Sequence, residues 1–264
     1  MPRPSWRKPS ISSPRHRDSK QRLDLLLVRK GLVESREKAR ALIMAGVVEV
    51  GGVRVDKPGH VVRESAGITL RASSPPYVSR GGLKLAEALQ RFSVDVRGGT
   101  ILDVGASTGG FTDCLLQNGA ARVIAVDVGH GQFHWTLRND PRVRLMERTN
   151  IRYVTPQDLG EPVQGAVIDV SFISLRIVVP VVARLLDAGS WMVTLVKPQF
   201  EVGRERVGKG GVVRDPALHA EVLEELSGRF RSEGWSVKAQ AESPILGPKG
   251  NREFLLHLEE SRPG

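Results

Sequence analysis

The chain has 264 residues and is 40% hydrophobic, which suffices for the cores of one sizeable α/β domain and one small one. No apolar run approaches the ~20 residues of a spanning helix, the basic N-terminus lacks the apolar stretch of a secretory signal, and one cysteine excludes an intrachain disulfide; the expectation is a cytoplasmic protein without stable membrane association. The net charge of +10 is uneven: residues 1–72 hold 16 Lys and Arg against 7 Asp and Glu, the rest 23 against 22, so a polyanionic partner is expected at the first quarter of the chain.

Residues 1–20, with four Pro, five Ser and six Lys or Arg, offer almost nothing to bury and read as a disordered basic tail. From Arg22 the pattern changes. Leu23, Leu26, Leu27 and Val28 fit a short amphipathic helix that Gly31 can end, and Ser35 can cap a second helix with Ala39, Leu42 and Ile43 inward and Gly46 as its stop. Short strands follow at Val47–Val50, Val53–Val55, Val61-Val62 and Ile68–Leu70, making a small α+β module. The stretch RLDLLLVRKGLVESREKARALIMAGVVEVGGVRVDKPGHVV resembles the S-four-type RNA-binding module. That resemblance implies RNA-phosphate contacts from Arg36, Lys38, Arg40, Arg54 and Lys57; any one of these charges taken alone reads equally as a solvated face.

Ser73-Ser-Pro-Pro76 begins an interdomain linker, taken as residues 73–80 between a module at 21–72 and a second domain at 81–260. A helix then runs to about Phe92, with Leu85, Ala88, Leu89 and Phe92 as its apolar stripe. By periodicity Lys84 is a surface lysine within reach of Glu87. Next comes a βα series. Ile101–Val104 reads as a buried strand, Phe111–Leu116 as a helix carrying Cys114 as a small buried hydrophobe, and Arg122–Val126 as a second strand tipped by Asp127. Further strands are expected at Val143–Met146, Ala166–Ile168 and Trp191–Val196, with Trp235–Ala239 and Phe254–Leu258 closing the chain. Helices are expected around Ile173–Leu186 and Ala217–Arg231. This alternation predicts a doubly wound, mainly parallel sheet.

The turn Asp103-Val-Gly105-Ala106-Ser107-Thr108-Gly109-Gly110 has Ser107 where a dinucleotide fingerprint needs its second glycine. It resembles motif I of class I S-adenosylmethionine (SAM)-dependent methyltransferases, and Asp127 stands where those enzymes grip the ribose. From the turn alone a dehydrogenase, or glycines used only for close packing, remains open. The carboxyl edge of a parallel sheet is where α/β enzymes place their chemistry. Asp169 and Lys197 end expected strands there, and in class I methyltransferases an antiparallel last strand starts there, which puts Glu253 beside them. Alone, each has an ordinary reading: Asp169 or Ser171 capping the next helix, Lys197 ending a strand, Glu253 as a surface charge.

Lys84, Asp169, Lys197 and Glu253, in that order, match the tetrad of ribose 2′-O-methyltransferases resembling FtsJ. With SRGGLKL, DVGASTGGFTD, VIDVSFISL, LVKPQFE and NREFLLHL beside the N-terminal module, residues 21–258 resemble the TlyA family. The resemblance implies a Rossmann-like SAM-dependent rRNA cytidine 2′-O-methyltransferase acting on ribosomal subunits, with Lys84, Asp169, Lys197 and Glu253 catalytic. It implies SAM bound by Asp103, Gly105, Ala106, Ser107, Thr108, Gly109, Gly110, Asp127 and Asp169. Within the tetrad, Lys197 is expected to act on the ribose hydroxyl, and Phe172 and Phe200 either stack on the target base or belong to the core. Arg204–Arg214, Gly-rich and basic, reads either as a mobile loop over the site that can contact RNA phosphates or as an ordinary flexible loop. His130 and His134 are spaced as metal ligands can be but lack a third group, so no metal is expected. Two rival readings stay open: a non-catalytic RNA-binding protein on a degenerate methyltransferase fold, and a membrane-active hemolysin, the family's older label, for which no spanning or amphipathic segment stands out.

Overall fold

The computed structural model describes residues 19–70 and 76–261. Most of the expected basic tail, and residues 73–75 of the expected linker, lie outside the described residues. The chain divides into two compact units, Met1–Ser74 and Pro75–Gly264.

In the first unit β1 (Lys20–Arg22) leads into α1 (Leu23–Arg29) and α2 (Arg36–Met44). β2 (Val48–Val50), β3 (Val53–Arg54), β4 (Val61–Arg63) and β5 (Ile68–Leu70) follow. Lys20, inside the stretch expected to be a tail, belongs to β1, because Lys20–Arg22 finds an antiparallel partner in β4. β2 pairs with both β3 and β5. Leu23, Leu26, Leu27, Ala39, Ile43 and Val48 form the core, all fully buried. Ser35 caps α2 by accepting from Lys38 N at 3.2 Å.

Asp24 is also fully buried, beneath two half-exposed guanidiniums. Arg22 donates to both its carboxylate oxygens at 3.0 Å, and Arg36 Nε to one of them at 3.0 Å. The Arg22 hydrogen bonds, with Arg36 adding to them against the cost of burial, hold this carboxyl down at about 2. Arg36, expected to face RNA, is thus also a structural cation.

The second unit contains α3 (Gly81–Phe92), β6 (Thr100–Val104), α4 (Gly110–Gln117), β7 (Arg122–Val126), α5 (Trp135–Arg138) and β8 (Val143–Met146). These are followed by α6 (Pro156–Leu159), β9 (Gly165–Ile168), α7 (Leu175–Ala183), β10 (Trp191–Val196), α8 (Pro198–Glu201), α9 (Pro216–Ser232), β11 (Trp235–Glu242) and β12 (Phe254–Glu260). One seven-stranded sheet runs in the order β11-β12-β10-β9-β6-β7-β8, parallel except that β12 is antiparallel to both its neighbours. Successive strand residues point to opposite faces. Leu102, Val104, Ile124 and Val126 pack with Val178, Val182, Leu226 and Phe230 of α7 and α9. Ile101, Val123 and Ala125 pack with Leu85, Leu89, Leu115 and Leu116 of α3 and α4. The result is a three-layer α/β sandwich.

The expected helix from Ile173 begins at Leu175 instead, because Ser174 supplies the cap by accepting from Arg176 N at 3.1 Å. Neither Asp169 nor Ser171 caps it. The chain leaves β6 toward β7 and returns through β9 on its other side, so the crevice at their carboxyl ends is the switch point of the sheet.

Replacing Asp24 by Ala strands two cations over a void and should destabilise the N-terminal unit by about 1–3 kcal/mol, read as a lower thermal midpoint. In the parent the folded value lies below the ~4 of a free aspartate. The stabilisation from Asp24 is therefore fully present above about pH 4 and lost as pH falls through about 2.

Candidate active site

β6 ends at Val104, and Gly105 turns the chain with φ +86°. A Cβ at that position would sit 2.5 Å from the carbonyl oxygen of Asp169, so only glycine lets the turn pass this close to the end of β9. Ser107 takes φ +51°, and its N–H donates to Asp127 Oδ2 at 2.7 Å. Gly129 N donates to the other oxygen at 2.6 Å. Asp127 thereby fastens the turn to the loop after β7 while remaining half-buried at the cleft wall.

That cleft, of about 550 Å³, is lined by Gly105, Ser107, Asp127, Asp169 and the segments Thr149–Arg152 and Val170–Ile173. An adjoining pocket of about 280 Å³ is lined by Ser79, Arg80, Ala106, Thr108, Gly110 and Phe111 together with Lys84, Asp169, Lys197 and Glu253. Gly105, Ser107 and Asp169 face both. Two residues expected at the cofactor stand behind these walls. Gly109 is the N-cap of α4, and Asp103 is fully buried beneath the turn. Asp103 Oδ2 accepts from Thr112 Oγ1 at 2.6 Å while Oδ1 has no partner. Burial, with the nearby charges of Asp169 and Asp127 adding to it, pushes this carboxyl up to about 7.

The four dispersed ionisable residues meet as two pairs. The register pairs Val196 with Phe254, so Lys197 and Glu253, each one residue further, emerge side by side. Lys197 Nζ lies 2.5 Å from Asp169 Oδ1 and donates to Ser171 Oγ at 3.0 Å. The contact with Asp169 is a close ion pair rather than an aligned hydrogen bond, since that carboxylate oxygen has no hydrogen-bond partner. Lys84 Nζ donates to Glu253 Oε2 at 2.5 Å, and both residues are buried. Lys84 is therefore not the surface lysine of the helix periodicity, and Glu87 pairs with Arg91 instead.

Around the pairs, Glu201 accepts from Ser174 Oγ at 2.6 Å and from Leu175 N at 2.8 Å, which ties α8 to the loop bearing Ser171 and Phe172. Phe172 is 90% exposed with φ +65° and packs at 5.0 Å against Phe200. It is not a core aromatic. His130 bonds Glu147 and His134 caps α5; no group of residues able to hold a metal ion occurs among the described residues.

Of the expected RNA contacts, Lys38 pairs with Glu34 at 3.2 Å and Arg54 reaches the carbonyl of Ala45 at 3.5 Å. Arg40 and Lys57 are exposed with no ion-pair partner among the described residues. The sequence offers Ser171 only as a helix cap and gives Glu201, Arg80 and Thr149–Arg152 no role in the site. Ser171 and Glu201 do lie inside the quoted stretches VIDVSFISL and LVKPQFE, which was the available signal.

Residues 77–260 match the model of the FtsJ-like methyltransferases. The chain belongs to that family. An S4 domain matches residues 21–68 of this FtsJ-like methyltransferase. YqxC of Bacillus subtilis, provisionally named an rRNA methyltransferase, is 54% identical over 90% of this chain and 85% of its own. The 16S/23S rRNA (cytidine-2′-O)-methyltransferase TlyA of Mycobacterium tuberculosis is 47% identical over 90% of this chain and 89% of its own. A solved structure from Streptococcus thermophilus with a provisional hemolysin label superposes with a TM-score of 0.73 at 48% identity, covering 92% of this chain and 90% of that one. Among the described residues no helix is long and apolar enough to cross a membrane.

The raised value of Asp103 has a measurable consequence. Its folded value exceeds the ~4 of a free aspartate, so the fold loses stability as pH rises from about 4 to about 7. Asp103→Asn removes that loss. The thermal midpoint of the variant relative to the parent should climb across this window and level off above it, whereas parallel curves would contradict the assignment.

Proposed function

We propose that the chain transfers a methyl group from SAM to the ribose 2′-oxygen of a cytidine in ribosomal RNA, on cytoplasmic ribosomal subunits. The observation that carries this reading is the convergence of Lys84–Glu253 and Lys197–Asp169 on a pocket that shares Gly105, Ser107 and Asp169 with a nucleoside-sized cleft. Family membership and the named rRNA cytidine methyltransferase relative support it.

The cleft suits a cationic nucleoside. Gly105 leaves room for close backbone approach, Asp127 can accept from ribose hydroxyls, and Asp127 and Asp169 both line the cleft as carboxylates. Gly105, Ala106, Ser107, Thr108, Gly110, Asp127 and Asp169 would hold the cofactor, with Asp103 and Gly109 bracing the turn from behind. SAM would supply there an activated methyl group on a sulfonium.

The protein's own task is to present one oxygen in line and to manage its proton. Lys197, held by Asp169 and Ser171, can donate to the 2′-oxygen and stabilise the negative charge that develops on it. The proton lost from the 2′-hydroxyl would pass to the Asp169 carboxylate, since Lys197 as an ammonium can only donate. Lys84 and Glu253 neutralise each other within the same pocket and fix its floor. Phe172, exposed at the rim and backed by Phe200, offers a face on which an unstacked base can rest.

The N-terminal unit supplies sequence-independent grip. Among the expected contacts, Arg40 and Lys57 have no ion-pair partner among the described residues, and Arg36, Lys38 and Arg54 keep guanidinium or ammonium surface exposed beside their internal partners.

Lys197→Ala should reduce radiolabelled methyl transfer to ribosomal subunits by at least ~10²-fold while cofactor affinity stays within about twofold. Full activity in that variant would remove Lys197 from the mechanism. Deleting residues 1–74 should weaken RNA binding and flatten its salt dependence by several units of slope, with cofactor affinity retained; equal losses of both would contradict the division of labour.

A further inference from the structure

The Gly-rich segment after Glu201 is not the free loop its composition implies. Gly208 N donates to Val212 O at 3.2 Å and Gly211 N to Gly208 O at 3.0 Å, which closes a tight antiparallel turn. Val212 and Val213 are buried, and His219 Nε2 donates to Val213 O at 2.9 Å, tying the return limb to α9.

One buried side chain then joins this hairpin to the catalytic pocket. Asn251, 3% exposed, accepts from Val213 N at 3.1 Å through Oδ1. Its Nδ2 donates to Gly211 O at 3.0 Å and to Pro248 O at 3.2 Å. Both donor hydrogens and the acceptor are engaged, so the amide has a defined orientation. The loop on its other side is part of the site. Pro248 lines the pocket, Gly247 N donates to Asn251 O at 2.8 Å, and a Cβ on Gly247 would stand 2.1 Å from Glu253 Oε1.

This arrangement carries cations. Lys209 is exposed at the hairpin tip, and Lys249 is exposed in the left-handed region at φ +59°. Lys249 Nζ lies 3.8 Å from where a Cβ on Gly211 would be, so its ammonium rests against the hairpin. Neither lysine has an ion-pair partner among the described residues, and exposed Arg80 lines the same pocket. The tetrad inside is neutral by pairing, which leaves the rim to set the potential at the mouth. A non-glycine residue in a strained conformation beside an active site, bearing an uncommitted charge, fits a ligand contact. A nucleotide extruded into the pocket leaves its flanking phosphates at that mouth.

We propose that the Gly208–Val212 hairpin and the Pro248–Gly250 turn form a jaw that grips RNA phosphates flanking the target nucleotide through Lys209 and Lys249, with Asn251 as the positioning residue that couples the grip to Glu253. The inference rests on the ribose methyltransferase reading.

The test uses the full chain and ribosomal RNA lacking the modification. Combined Lys209→Ala and Lys249→Ala should raise KM for RNA about tenfold and lower the log–log salt slope of binding by about 1–2, with much smaller effects on the maximal rate and on cofactor affinity. The paired Lys→Arg variant should restore both. Asn251→Asp keeps the acceptor but sets an oxygen against Gly211 O and Pro248 O, and should reproduce the KM rise. An unchanged KM and salt slope in the double alanine variant overturns the jaw. If the parent protein transfers no methyl group to the RNA, the functional reading has failed instead, and the salt slope, measured without turnover, still decides whether the two lysines grip.

Discussion

Four ionisable side chains gathered at one edge of a sheet, three of them almost wholly removed from water, can coexist only if their charges are matched. Removing a lone ammonium or carboxylate from water costs several kcal/mol, and an opposite charge in direct contact is what makes such burial tolerable. Lys84 with Glu253, and Lys197 with Asp169, meet that requirement. The sheet topology makes the meeting possible, because antiparallel β12 begins at the edge where parallel β9 and β10 end. Much else follows from keeping those pairs in register: Glu201 fastening the loop after β9, Gly105 passing under Asp169, and Asn251 securing the turn before Glu253.

The same logic operates in the N-terminal unit with a different outcome. There a single buried carboxylate, Asp24, is neutralised by two half-exposed arginines, and the arrangement organises a small core rather than a reaction. Arg36 consequently serves the fold and still presents part of its guanidinium outward. A basic surface of this kind has two layers, cations that hold the module together and cations such as Arg40 and Lys57 that remain available to phosphate. Only the second layer can be removed without cost to stability.

The longer helices, the sheet strands of the second unit and the motif turn were legible in the sequence because each depends on local periodicity and on glycine placement, whereas β1 and the single-turn helices α5, α6 and α8 are too short to show a period. Lys84 was not, since the α3 pattern sees only its own helix, and the partner that buries it lies 169 residues away. Asp103 illustrates the reverse problem: its motif position suggested ligand contact, but alternation along β6 turns it inward toward Thr112. Phe172 read either as a base-stacking or as a core aromatic; Ser174, rather than Asp169 or Ser171, caps α7, and Phe172 stands in an exposed, left-handed turn. The segment around Gly208 looked mobile because composition carries no trace of the distant Asn251 amide that pins it.

In the proposed function the paired charges select a ribose oxygen rather than a base atom. The most direct measurement is nucleoside analysis by mass spectrometry of ribosomal RNA from unmodified subunits incubated with the purified protein and SAM. 2′-O-Methylcytidine is expected to appear. A methyl group on a base, or no methylated nucleoside from subunits that the protein binds, would contradict that function.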